Sequence, residues 1–285
     1  MNTVRQYGCE VLFDCRNTLG EGLLWDVDSE TLYWVDILEK QIFISPQGSA
    51  SYQTRQLNHH VGCLAVCEDN RLLVAHEQGL SIYDPQSEQM EPGNAIESDK
   101  EDNRFNDGKC DPSGRFWAGT MRMDATGKAG SLYRFNQNLD ADLMIDDIAI
   151  SNGLAWSLSQ KRMYYVDTGD NDIKVYLYDD KTGDISFEKV LIQGSTDLGY
   201  FDGMTIDANN NLWVAVWDGG CVLHIDSCTG EIIGRVNLPC QKVTNCTFGG
   251  PDLDRLFITT AATELSADEK RLQSEAGNLF ICRPG

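Results

Sequence analysis

The chain has 285 residues, 41% of them hydrophobic and 24% charged, which is enough apolar content for a large core and too little length for many independent domains. Forty-four acidic residues against 23 basic ones give a formal charge of −21, which repels phosphate backbones and anionic bilayers, so neither nucleic acid nor membrane is an expected partner. No run approaches the roughly 20 apolar residues of a membrane span, and the opening MNTVRQYGCE has no apolar signal core, so a cytoplasmic protein is expected.

In chain order, the first expected strand is Cys9 to Phe13. One phrase then recurs six times: a turn rich in Asp, Asn, Ser or Gly, followed by a short aromatic and β-branched strand. The copies are DSETLYWVD, EDNRLLVAH, DPSGRFWAGT, LSQKRMYYVD, DANNNLWVAV and PDLDRLFITT. Their anchors Leu32, Leu72, Phe116, Met163, Leu212 and Leu256 stand 40, 44, 47, 49 and 44 residues apart. That is the length of a four-stranded blade and leaves no room for generous helices. Between anchors lie alternating segments such as SLYRFNQ and IKVYLYDDKTGDI, and turns such as Asp179 to Gly183 and Asp226 to Gly230, to which only a structural role is assigned. A last strand is expected over Asn278 to Cys282. Pairing it with Cys9 to Phe13 would close the ring, giving an all-β, six-bladed β-propeller as a single domain over 1–285.

Ten cysteines occur without a Cys-x-x-Cys, and Cys63 with Cys67 has no second pair at finger spacing. Reduced, mostly buried thiols are expected, and a structural zinc site is not.

About ten residues before each anchor comes the strand expected to line the central channel. In four copies an acid or amide stands there directly before glycine: Glu21-Gly22, Asp107-Gly108, Asn152-Gly153 and Asp202-Gly203. Val61-Gly62 in blade two and Asn245-Cys246 in blade six break the pattern. Taken singly, such pairs are turn dipeptides; recurring at one phase, they place polar groups on the channel, where unpaired burial costs several kcal/mol each. Two carboxylates and an amide carbonyl, from Glu21, Asp202 and Asn152, form a hard oxygen set for one divalent cation, whether calcium, zinc, manganese or magnesium.

The same residues resemble the gluconolactonase, regucalcin and senescence-marker-protein family. The phrases that carry the resemblance span nearly the whole chain: GEGLLWD at 20–26, NRFNDGKCDPSGRFWAGTM at 103–121, ISNGLAWS at 150–157, FDGMTID at 201–207 and FGG at 248–250. The resemblance implies a six-bladed propeller with one divalent metal in its channel, calcium or zinc first, held by Glu21, Asn152 and Asp202. It also implies substrate contacts from Arg104 and Asn106, whose guanidinium and amide suit the oxygens of a sugar lactone. Where regucalcin-like members carry a substrate-contacting Glu after the G-T-M phrase, this chain reads Met121-Arg122-Met123-Asp124, and Asp124 is the expected replacement. Asp107 is ambiguous, marked by the repeat while the resemblance emphasises Asn106.

The expected activity is metal-dependent hydrolysis of a small sugar lactone, with Asp202 as general base toward water as well as ligand. There is no G-x-S-x-G elbow and no His-x-x-x-His pair, and four histidines leave little room for a triad. His59-His60 is expected as a loop pair near the channel mouth, with substrate contact as the alternative, and His76 and His224 as packed side chains. The other functional expectations are a phosphotriesterase-like hydrolase on the same scaffold and a non-catalytic calcium-binding propeller. A closed ring is compatible with a monomer or a weak homo-oligomer.

Overall fold

A computed structural model describes residues 4–285; the first three residues of the opening decapeptide lie outside the described residues. Each repeated phrase forms the second strand of a blade: Thr31–Asp36, Leu72–His76, Phe116–Arg122, Arg162–Asp167, Leu212–Trp217 and Arg255–Thr260. The hairpin before it has a residue in the left-handed region two or three positions ahead of the anchor in every copy: Glu30, Asn70, Gly114, Gln160, Asn210 and Leu253. A tight reversal between right-twisted strands requires such a residue, which is why Asn and Gly recur there.

The innermost strands are Gly20–Asp26, Cys63–Val66, Asn103–Cys110, Ser151–Trp156, Tyr200–Ile206 and Val243–Gly249. They touch one another in ring order, the sixth meeting the first, so the six sheets form a closed propeller. In the sixth sheet Cys9–Phe13 lies antiparallel to Leu279–Cys282 as the outermost strand. The preceding strand, Arg5–Tyr7, runs parallel to Ile232–Asn237 on the outside of the fifth sheet. The N-terminal segment therefore ties blade five to blade six. Tyr7 fixes this tie: its hydroxyl meets His224 Nδ1 at 2.9 Å, and its ring centroid lies 5.0 Å from that of Trp213.

There is no single central core. Six apolar clusters each fill the gap between two neighbouring blades, for example Val35, Ile42, Leu64 and Val74 between the first and second, and Trp117, Leu154, Met163 and Tyr165 between the third and fourth. Each fully buried aliphatic or Phe side chain contributes roughly 1.5–3 kcal/mol. With the apolar faces spent between blades, the axis is left to side chains at the starts of the innermost strands. Among the described residues, no helix is long and apolar enough to cross a membrane.

Candidate active site

Five of the six innermost strands break register with their neighbour: between Glu21 and Leu24, Phe105 and Gly108, Ser151 and Leu154, Phe201 and Met204, and Val243 and Asn245. A bulge leaves residues unpaired, bends the strand and re-aims side chains. The acid–glycine and amide–glycine pairs are thus bulges inside strands rather than turns. Their glycines sit where adjacent blades come closest. A Cβ on Gly153 would lie 2.6 Å from the Asp202 carbonyl oxygen, and one on Gly203 would lie 2.4 Å from Asn245 Cγ. The glycine permits the close approach that sets the polar residue before it on the channel wall.

These bulges bring Glu21, Arg104, Asn106, Asn152 and Asp202 to one cavity of about 410 Å³. All five are buried. Arg104 and Asn106, two residues apart on one strand, share a face. Arg104 Nη1 donates to Asn106 Oδ1 at 2.6 Å and to the Phe105 carbonyl at 3.0 Å, and Asn106 Nδ2 donates to the Ser151 carbonyl at 2.9 Å. Asn152 Nδ2 donates to Thr168 Oγ1 at 2.9 Å, and Thr168 passes its own proton to the Phe201 carbonyl at 2.8 Å. This relay fixes the amide so that Oδ1 is left over. Asn245 Nδ2 donates to Glu21 Oε2 at 3.1 Å.

Two buried oxygens in this cluster have no hydrogen-bond partner, Asn152 Oδ1 and Asp202 Oδ1. Leaving such acceptors unmet is costly, so the arrangement fits a divalent cation bound through Glu21, Asn152 and Asp202. The electrostatics agree. Burial, reinforced by the nearby Asp107 charge, pushes the Glu21 carboxyl up to about 8. Burial, then the Glu21 and Asp107 charges, raise Asp202 well above the ordinary carboxylate range. Burial draws Arg104 down to about 10, against the pull of Glu21 and Asp202. Asp107 and Lys109, also desolvated, lie near each other outside the cavity lining, with Lys109 Nζ reaching the Met204 carbonyl at 2.8 Å. Three buried acids, Glu21, Asp107 and Asp202, thus stand against buried Arg104 and half-buried Lys109, and a cation would offset the excess.

Asp124 stands at the edge of the cavity. Its neighbours Met123 and Ala125 line the cavity, but its exposed carboxylate accepts from Arg122 at 2.9 and 3.0 Å and from Thr126 Oγ1 at 2.8 Å. Those bonds hold it well below the usual carboxylate range, the Arg122 bond first. A substrate contact from Asp124 would require this carboxylate to leave Arg122 and Thr126. Asn245 belongs to the site although its following residue, Cys246, hides the repeat; its phase was the available signal. His60 lines the cavity, and its Nδ1 is buried without a hydrogen-bond partner, whereas His59 turns the other way. His59, His76 and Glu77 form a separate cluster whose ligating atoms lie within 4.8 Å of one another.

Fold and cavity together define a closed propeller with a polar channel floor suited to a divalent cation. The chain belongs to the SMP-30/Gluconolactonase/LRE-like family, whose model matches residues 19–262. It is 38% identical to "Putative sugar lactone lactonase YvrE" of Bacillus subtilis, over 94% of this chain and 91% of that one. It is 34% identical to regucalcin of Xenopus laevis, over 92% and 89%. Among solved structures it superposes with a TM-score of 0.93 on a calcium-binding protein, regucalcin, from Agrobacterium tumefaciens, at 31% identity and covering 99% and 95% of the two chains.

Proposed function

We propose that this protein is a metal-dependent lactonase that opens a sugar lactone to the corresponding acid. The observation that carries the proposal is the pair of unpartnered buried oxygens, on Asn152 and Asp202, in a cavity that also holds Arg104 and Asn106. Membership of a family whose relatives include one described as a sugar lactone lactonase supports the same reading.

A lactone needs its carbonyl polarised, its ring oriented and a water deprotonated. A divalent cation held by Glu21, Asn152 and Asp202 would supply Lewis acidity and lower the pKa of nearby water. Arg104 has already committed Nη1 to Phe105 and Asn106, and its remaining donors orient the ring and carbonyl oxygens while Asn106 braces it. Asp202 keeps one oxygen for water and serves as general base. His60, with a free ring nitrogen in the wall, accepts from a substrate hydroxyl or donates to an oxygen according to its tautomer.

The test is a pH-indicator assay over γ- and δ-sugar lactones with metal-stripped protein, protein resupplied with calcium, zinc, manganese or magnesium, and Asp202→Ala. Turnover that needs metal and disappears in the variant supports the reading. A second reading, cation binding without turnover, draws on the description of the Agrobacterium relative as calcium-binding. It gains the case if stripped protein binds calcium tightly and no lactone is opened with any of the four ions.

A further inference from the structure

The cavity is polar at its floor and at His60 in the wall, and apolar over much of the rest. Its wall carries Leu19, Met121, Ile150 and Trp217, and its mouth is framed by Leu38, Met123 and Tyr200. These last three are large apolar side chains left substantially exposed, at 42%, 45% and 36%. They come from blades one, three and five, alternate members of the ring: Leu38 follows Thr31–Asp36, Met123 follows Phe116–Arg122, and Tyr200 opens Tyr200–Ile206. Solvent-exposed apolar groups scattered singly need no explanation; three converging on one opening form a surface with a use. Other rim groups are polar, but Glu264 is tied to Lys242 at 3.0 Å, and Lys242 Nζ lies 4.1 Å over the Trp217 ring.

A bare polyol lactone meets this wall poorly. Its carbonyl must reach Arg104 and Asp202 at the floor, which directs the far side of the ring toward aliphatic side chains that offer no hydrogen bonds. Hydroxyls enclosed there lose water and gain nothing in exchange. Tyr200 and Trp217 can stack on a sugar face, but Leu19, Leu38, Met121, Met123 and Ile150 cannot answer hydroxyls. A cavity of about 410 Å³ also falls in the size range of sites for ligands larger than a single small ring, roughly 300–1,000 Å³.

We infer that the lactone taken by this cavity carries an apolar substituent, an alkyl or acyl chain, whose ring sits on the polar floor and whose chain lies between Leu38, Met123 and Tyr200. The inference rests on the lactonase reading of the floor and narrows its substrate to lactones that are polar at the ring and apolar beyond it.

The experiment uses full-length, metal-loaded protein and a series of δ-lactones that share one ring and differ only in a substituent running from hydroxymethyl through propyl, pentyl and heptyl. Steady-state kcat/KM is measured for the unaltered protein and for Met123→Ser with Tyr200→Ser. The expected result is a rise of about fourfold per buried methylene up to the length that fills the mouth, with a flatter slope in the double variant. A flat or falling series, with the hydroxymethyl lactone turned over best, overturns the inference and leaves the lactonase reading standing. If no member is hydrolysed while the sugar-lactone panel is turned over, the inference fails; if that panel is inert as well, the lactonase reading fails, and calorimetric binding of the matching lactams decides the subsite. Affinity that climbs with chain length and loses that climb in the double variant supports an apolar-substituent site, and affinity independent of chain length overturns it.

Discussion

Among the described residues, two places gather three side chains able to ligate a metal, and they differ in what those side chains already do. On the channel, Asn152 and Asp202 each keep a buried oxygen with no partner. Near blade two, His59, His76 and Glu77 have a similar inventory, yet their atoms are mostly committed. His59 Nδ1 meets Glu77 Oε1 at 3.2 Å, and Glu77 Oε2 accepts the His60 backbone N–H at 2.8 Å. His76 Nδ1 accepts from the Gln78 N–H, so its proton is on Nε2 and is donated to Ser81 Oγ at 2.8 Å. The two imidazoles also lie face to face, centroids 4.3 Å apart with a 30° tilt, so their in-plane lone pairs run side by side instead of converging. Composition and proximity do not separate a metal site from a satisfied polar cluster; unmet buried acceptors do.

Asp202 gives the largest effect. Asp202→Ala removes a proposed ligand and the proposed general base together, and kcat/KM for the best lactone should fall by about 10³-fold, within the 10²–10⁴ that positioned acid–base groups supply. Activity within tenfold of the unaltered protein would take the chemistry away from this residue.

The outer cluster should instead govern acid stability. Burial draws the His76 imidazole down to about 4, from an ordinary value near 6.5. Because the unfolded chain takes up the proton first, the full contribution is present above pH 6.5. It declines as pH falls toward 4 and levels off below that. The loss reaches roughly 3 kcal/mol at most. Urea unfolding of the parent and of His76→Gln between pH 7.5 and 4 isolates the term: the variant should lack this increment of the slope, and identical slopes would show that His76 is not held neutral by burial.

Thr168 sharpens the channel side of the comparison without replacing a proposed ligand. Thr168→Val removes the acceptor that fixes the Asn152 amide, and loss of an outer partner of this kind lowers metal affinity by about 10–100-fold. Calcium titration of stripped protein by calorimetry reads this directly; an unchanged affinity would mean that the amide is oriented by something else.

How much of this was legible in the sequence depends on whether the cause was local. The blades were legible because a left-handed turn residue and a period-2 strand are both written within about ten residues, as in DANNNLWVAV around Asn210 and Leu212. The channel position of Glu21, Asn152 and Asp202 could be read from repeat phase. Why each precedes glycine could not, since the cause is the backbone of the next blade, as where Gly153 meets Asp202. Asn245 was obscured because Cys246 replaces the glycine. Which way Asp124 turns could not be read, since spacing after G-T-M says nothing of how Arg122 and Thr126 compete for the side chain. The strand Arg5–Tyr7 is too short to show a period, and the apolar mouth comes from Leu38, Met123 and Tyr200, which no window of sequence contains together.

The smallest expected effect is the most discriminating for the comparison itself. Glu77→Gln keeps the size and acceptor oxygen of the side chain while removing the charge that faces His59 and the His60 N–H. If the outer cluster is a satisfied polar network, the cost is confined to weakened charge-assisted bonds, about 1 kcal/mol of stability. Calcium affinity and lactone turnover should then stay within twofold, because the channel oxygens are on other blades. If Glu77→Gln instead abolishes cation binding while Asp202→Ala leaves it intact, the two regions have exchanged roles. The unpartnered oxygens on Asn152 and Asp202 would then have to be met by ordered water, which needs polar partners of its own to be held.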